Sequence, residues 1–339
     1  MSIQAKSFGT TSKNENATLY SITNKNGFVL ELTDYGAIWV GSKMPTENGL
    51  VDVVLGLDSA GDYEPSKGHL GGVIGRNANR ISNAVFTLDG ISYPMEVMNP
   101  ELGLNIHSGP DFYDRRIWQT TVLEDENAVR FSLNSPDGDQ GFPGNLTLHV
   151  TYILTDDNTV KLIYDAVSDA KTLLNVTNHV YFNLNGHNSG AVWNHLMWTD
   201  STHITETISG IPTGKLLPVA GTKYDFTTMK AVEHQFDDNW CQEPHHSLDK
   251  VRATCIGDVS GIQMDVYTDL PGIQIYTGNA VNVPNGKDGT VYGSGSGICF
   301  ETQYYVNAIN TDSPEFKKPI LEANTPFHSE TWYTFKMAK

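Results

Sequence analysis

Leu173–Gly186 reads LLNVTNHVYFNLNG. With the two-residue period of a β-strand, Leu174, Val176, Val180, Phe182 and Leu184 fall on one side, interrupted only by Asn178. Asn175, Thr177, His179, Tyr181 and Asn183 fall on the other. A strand whose second face meets water ordinarily carries Lys, Glu or Arg there. This face carries amides, hydroxyls and a histidine, groups that hydrogen-bond in both directions and suit a neutral polyol. His179 is the only group in the stretch able to move a proton near neutral pH. The plain alternative is a surface strand with an incidental histidine.

The same alternation recurs outward from this stretch. Phe28-Val-Leu-Glu-Leu32 alternates and ends at Asp34-Tyr-Gly36. Ala84-Val-Phe-Thr-Leu88 is followed by Asp89-Gly90 and Ile91-Ser-Tyr93, a hairpin signature. Val129–Leu133, Leu146–Thr155 and Val160–Asp165 are further strands, the last two joined across Asp156–Thr159. Helical periodicity is almost absent, and one short helix is expected near Thr227–Phe236. The pattern predicts an all-β chain, an antiparallel sandwich or barrel. Strand density is even and no linker interrupts it, which predicts one continuous domain over residues 1–339.

Composition narrows the partners. The 339 residues are 39% hydrophobic, which supports a packed core. The net charge of −17 argues against nucleic acid or an anionic membrane. It also disfavours phosphorylated substrates, which are normally met by clustered Arg or Lys or a helix N-terminus. Cys241, Cys255 and Cys299 form neither a disulfide framework nor a CxxC zinc spacing. No apolar signal core or bilayer-length run is present, so the expected location is the cytosol. The sequons at Asn16, Asn145 and Asn175 then carry no meaning.

Several residues have chemistry to offer. GGVIGRNANRI, 71–81, sets Arg76 and Arg80 in a glycine-rich loop where backbone can approach a ligand and an arginine presents a rigid fork of donors. One of the pair is expected to bond loop carbonyls, and spacing does not say which. His107 lies in a loop, Asn105-Ile-His-Ser-Gly109. His149 shares a face with Thr147 and Thr151 and reads as surface. His245-His246 lack a third ligand, so no metal is expected there. Asp237-Asp238 beside Phe236 and Trp240 resemble a grip on sugar hydroxyls. Gln274 and Tyr276 share an uncharged polar face. Glu301 shares a face with Cys299, Gln303 and Tyr305; a carboxylate among such neighbours is costly unless used, and burial raises its proton affinity toward that of a working base. The glycine run 293–297 precedes a strand and opens no helix, the wrong context for a dinucleotide.

Taken in order, these motifs resemble those of the aldose 1-epimerase (galactose mutarotase) family. The likeness rests on Asp52-Val-Val-Leu-Gly56, GRNANRI, Phe86–Gly90, Gly141-Phe-Pro-Gly144, Asn175–Asn183, Ile211–Gly214, Tyr276–Asn279 and Glu301-Thr-Gln303. It implies a large twisted antiparallel β-sandwich with a sugar cleft on one sheet. It puts the family's base on Glu301, its acid on His179 and its second site histidine on His107. It puts substrate contacts on Arg80, Asn79, Asp237 and Gln274. The implied activity is interconversion of the α and β anomers of a free hexose, D-galactose or D-glucose, by acid/base ring opening. Such a reaction needs no cofactor and no metal.

Three departures from the family pattern stand out. Ile106-His-Ser-Gly109 replaces LHGG, Lys223 stands where proline is common, and Ala323–His328 lacks a glycine-led turn. Rival readings are an epimerase of hexose 6-phosphates, a glycosidase using Asp237 and Glu301, and a non-catalytic sugar-binding module. The sequence does not speak to oligomeric state.

Overall fold

The computed structural model describes residues 2–242 and 247–339. The chain is an all-β, twisted antiparallel sandwich. Nine strands make one sheet, in the spatial order Gln119–Leu123, Ala128–Ser135, Leu146–Leu154, Thr159–Ser168, Phe327–Met337, Ile262–Thr268, Ala253–Ile256, Leu196–Thr199 and Lys230–Ala231. Six make another: Tyr181–Phe182, Ile298–Gln303, Gly272–Tyr276, Asp237–Cys241, His203–Ile208 and Ile211–Pro218. Five N-terminal strands between Ser2 and Asp52 pair in chain order.

Alternation along each strand decides what is core. Phe131, Leu148, Val150 and Leu162 of the nine-stranded sheet meet Ile273, Ile275, Ile298 and Phe300 of the six-stranded one, with Leu30, Leu32 and Trp39 from the N-terminal sheet. Each large side chain so buried contributes about 1.5–3 kcal/mol. The same alternation sends Gln274, Cys299 and Glu301 to the opposite face of the six-stranded sheet, where the register sets Gln274 directly against Glu301. The expected hairpin is formed by Val85–Leu88 and Ile91–Pro94, with Asp89 at φ +49° and Gly90 at +81°, the left-handed pair such a turn requires.

The opening stretch is not one long strand. It pairs in three short pieces, Thr172–Leu173 with Ile320–Leu321, Thr177–Asn178 with Val73–Ile74, and Tyr181–Phe182 with Ile298–Cys299. Its apolar side, Leu174, Val176, Val180, Phe182 and Leu184, is core as the period requires. Its polar side is buried too, so neither face is a broad wet surface. Asn178, the break in the apolar side, donates to the Gly71 carbonyl at 2.7 Å and the Tyr152 hydroxyl at 3.0 Å. These two bonds satisfy its NH2 group within the core.

The helix expected near Thr227–Phe236 does not form. Lys230–Ala231 instead pairs with Leu196–Thr199 as the edge strand of the nine-stranded sheet, while Val232 and Phe236 enter the core, so sheet pairing overrides local propensity. The one α-helix among the described residues is Ala60–Tyr63. None of the helices there is long and apolar enough to cross a membrane. Cys241, Cys255 and Cys299 are all buried. His245 and His246 lie outside the described residues.

Candidate active site

Three segments lie side by side above the six-stranded sheet. Residues 73–74 pair with 177–178, a bridge joins Asn77 to Asn175, and Arg80–Ile81 pairs with Asn105–Ile106. GRNANRI is thus threaded between the opening stretch and the His107 loop, which brings chain-distant histidines together. The turn from His69 to Gly72, closed by a 3.0 Å backbone bond, is tied to His179 by two more at 2.9 Å.

These segments enclose a cavity of about 470 Å3, within the ~300–1,000 Å3 of small-ligand sites. Glu301, His179, His107, Arg80, Asn79 and Asp237 line it, together with His69, Tyr181, Tyr276 and Lys67. Six of the seven residues singled out from the sequence therefore share one wall system. The seventh, Gln274, lies beneath it, donating to Asp237 Oδ1 at 2.8 Å. A larger hollow of about 590 Å3 adjoins, between residues 57–68 and 280–285, with no His or Glu among its lining residues.

His179 Nε2 stands 3.6 Å from Glu301 Oε1. Both are almost fully buried, and Glu301 Oε2 has no hydrogen-bond partner in the protein. Burial pushes Glu301 well above the usual carboxylate range, with the Asp237 carboxylate adding to the effect. Burial likewise pushes His179 down to about 3, with the neighbouring His69 ring adding to the effect. In the unliganded cavity the pair is held uncharged, with one transferable proton between the two groups. His179 Nδ1 lies 3.6 Å from the Cys299 thiol. Cys299 and Glu301 thus address different nitrogens of one ring, and one ligand-type atom from each of the three residues lies within 4.8 Å of the others.

The two arginines part company. Arg76 is 1% exposed and its guanidinium is used up on Pro143 O, Ser135 O and Oγ, Pro136 O and Thr172 Oγ1. Arg80 reaches the cavity, donating to Asp237 Oδ2 at 2.7 Å and to Asn79 Oδ1 at 3.3 Å. The result is a neutralised cluster of Arg80, Asp237, Asn79 and Gln274 along one rim. Lys67 is an additional cation at the cavity that sequence spacing did not place there.

His107 is fixed from behind. Asn79 N–H donates to His107 Nδ1 at 3.2 Å, while the His107 N–H donates to Asn79 O at 3.0 Å. Burial, with His69, His179 and Arg80 close by, keeps this ring well below its ordinary value and so neutral. The serine of Ile106-His-Ser-Gly109 adopts φ +57°, a conformation that favours glycine. Its hydroxyl accepts from Asn77 N–H and donates to Asn77 O, each at 2.9 Å, which offsets that cost. Lys223 lies over the Tyr224 ring at 4.8 Å, and Asn324 at φ +56° makes the turn before the last strand. His149 is away from the cavity, bonded to Ser132 at 2.7 Å.

His69, Tyr181 and Tyr276 escaped the sequence reading as site residues. For Tyr181 and Tyr276 the signal was present, since each shares a face with a residue already singled out. For His69 the only sign was glycines on both sides, Gly68-His-Leu-Gly-Gly72.

A sequence model of the aldose 1-epimerase family matches residues 18–334. The chain is 34% identical over 333 residues to the aldose 1-epimerase of Escherichia coli (strain K12), covering 94% of each protein. It is 37% identical over 302 residues to the galactose mutarotase of Sus scrofa, covering 85% of this chain and 84% of that one. The crystal structure of the GalM/aldose epimerase homologue from C. elegans superposes with a TM-score of 0.89 at 28% identity, over 95% of this chain and all of that one. The galactose 1-epimerase of Lactobacillus acidophilus NCFM shares the fold, with a TM-score of 0.84 at 22% identity over 100% and 99% of the two chains.

Proposed function

The chain belongs to the aldose 1-epimerase family and is an isomerase, and on that premise we propose that it interconverts the α and β anomers of free hexoses, D-galactose and D-glucose, with Glu301 as base and His179 as acid. The observation that carries this reading is the 3.6 Å approach of His179 Nε2 to Glu301 Oε1 on the wall of a sugar-sized cavity.

The hydroxyl oxygen and the ring oxygen of a pyranose are both bonded to C1. An acid and a base that address them must therefore stand close together, as these two do. When the proton of the pair passes from Glu301 to His179 across their 3.6 Å approach, the Glu301 carboxylate is free to remove the C1 hydroxyl proton. The C1–O bond of the ring breaks as the C1 carbonyl forms, and His179 delivers a proton to the departing ring oxygen. Rotation about C1–C2 presents the other carbonyl face, and closure runs the same transfers in reverse. One proton within the pair suffices, and nothing is oxidised or consumed. Each transfer contributes roughly 10²–10⁴-fold.

Arg80, Asp237 and Asn79 hold sugar hydroxyls in this reading, and Gln274 keeps Asp237 oriented. His107 donates from Nε2, because its Nδ1 is already an acceptor, and so stabilises developing negative charge on oxygen. A glycosidase would use two carboxyl groups across the scissile bond. Here Asp237, the second carboxylate at the cavity, is engaged by Arg80 and Gln274, and the partner of Glu301 is an imidazole.

The test is polarimetry on freshly dissolved α-D-galactose and α-D-glucose. We expect the wild type to accelerate mutarotation of both. Glu301→Gln is expected to lose at least ~10²-fold in kcat while still binding galactose by calorimetry. Near wild-type turnover in that variant removes Glu301 from its role.

A further inference from the structure

We propose that His69 and Asp114 form a further working unit of this site: Asp114 fixes His69 as a hydrogen-bond acceptor, and with the donor His107 beside it His69 reads a sugar hydroxyl in both directions. The inference rests on the mutarotase reading for the identity of the ligand.

The placement comes first. His69 lines the same cavity wall as His107 and His179, with ring centroids 5.0 Å and 6.0 Å from theirs. Its backbone turn is bonded to that of His179, so the ring cannot drift independently of the proposed acid. The Phe112 ring meets it edge-on at 4.7 Å.

The clamp comes second. His69 Nδ1 is 2.9 Å from Asp114 Oδ2, across 45 residues of sequence. Asp114 is 2% exposed. It packs so closely on Gly72 that a Cβ there would collide with its side chain, which is why that position is glycine. Although burial alone would raise it, Asp114 is held below the usual carboxylate range by His69 and Arg115. A buried carboxylate aimed at one imidazole is costly unless its orientation matters; the same device fixes ligand and catalytic histidines elsewhere.

The chemistry comes third. A neutral imidazole donates from one nitrogen and accepts at the other. In His107 the Nδ1 accepts from Asn79 N–H, so the proton is on Nε2. In His69 the Nδ1 faces a carboxylate, so the proton is on Nδ1 and Nε2 is the acceptor. Nε2 of His69 has no protein partner among the described residues, and the ring lines the cavity. Two adjacent imidazoles with opposite tautomers thus present one donor and one acceptor to the same space. A hydroxyl is the group that satisfies both.

The test combines kinetics with a signature that a packing role would not produce. Nitrogen-15 NMR of histidine-labelled protein should show the Nδ1–H form at His69 and the Nε2–H form at His107, and both resonances should move on adding galactose. His69→Phe keeps the ring packing and removes the acceptor; KM for galactose should rise roughly tenfold or more. His69→Gln returns a carbonyl near the Nε2 position and should recover most of that loss. Asp114→Asn should weaken kcat/KM in the wild-type background, and should add little once His69 is Phe. The same tautomer at both rings, wild-type KM in His69→Phe, or additive losses in the double variant would overturn the proposal. A wild type that binds galactose with the predicted NMR shifts but leaves mutarotation unaccelerated would overturn the enzymatic reading and leave the His69–Asp114 unit standing.

Discussion

At the scale of single residues, proton transfer and stability pull against each other at Glu301. Its folded-state pKa is raised by burial and by Asp237. Protonation is therefore favoured in the folded protein over the unfolded chain. The group's contribution is fully present below the unfolded value of about 4.3 and is lost as pH rises through the folded value. Glu301→Gln, neutral at every pH, escapes that loss. It should match the wild type in thermal midpoint near pH 4 and exceed it increasingly up to pH 8. A midpoint difference independent of pH sinks the idea. His179 runs the other way: pushed down to about 3 chiefly by burial, it contributes stability that is present above about 6.5 and lost as pH falls through about 3. Both groups were legible in sequence, since a lone carboxylate and a lone histidine on strand faces without other charge are unusual. His69 was not. Its placement depends on a backbone turn and on a carboxylate 45 residues away, and no local periodicity records either.

At the scale of elements, GRNANRI shows where sequence reading stops. The two arginines lie four residues apart in one segment, and the choice between them is made by what surrounds each after folding. Arg76 is enclosed by the 135–143 turn, whose carbonyls it satisfies. Arg80 is left at the end of a two-residue ladder with Asn105–Ile106, facing the cavity. The two should therefore fail differently. Arg76→Ala leaves several buried acceptors unpaired and should cost ~3–5 kcal/mol in urea unfolding. Arg80→Ala breaks a partly exposed ion pair, with 18% and 38% side-chain exposure, and should cost at most about 1 kcal/mol. Its effect should appear as a KM raised tenfold or more for galactose, with the denaturation midpoint nearly unchanged. The reverse assignment of stability and KM effects would show that the wrong arginine has been placed at the sugar. Hairpins with Asp-Gly turns were read correctly because their chemistry is local. The Thr227–Phe236 segment was misread because its partner strand, Leu196–Thr199, is remote in sequence.

At the scale of the whole molecule, charge is expected to select the substrate. The chain carries −17, and the field it sets up repels anions over distances comparable to the Debye length, about 10 Å at 0.1 M salt. At the cavity itself Arg80 is already neutralised by Asp237, which leaves Lys67, an exposed side chain at the rim, as the other cation. A phosphate would therefore meet net repulsion on approach and no bidentate fork on arrival. An uncharged hexose meets neither, and its hydroxyls match amides, imidazoles and a carboxylate already poised by hydrogen bonds. Ionic strength is therefore a probe of substrate class. For galactose, kcat/KM should change by less than about twofold between 20 mM and 500 mM salt, because no net charge is brought together. For galactose 6-phosphate it should be lower at every salt concentration, and the gap should narrow as salt screens the repulsion. A phosphorylated sugar preferred at low salt, with the preference fading as salt is added, would mean that Lys67 and Arg80 act as an anion site and that the free hexose is not the substrate.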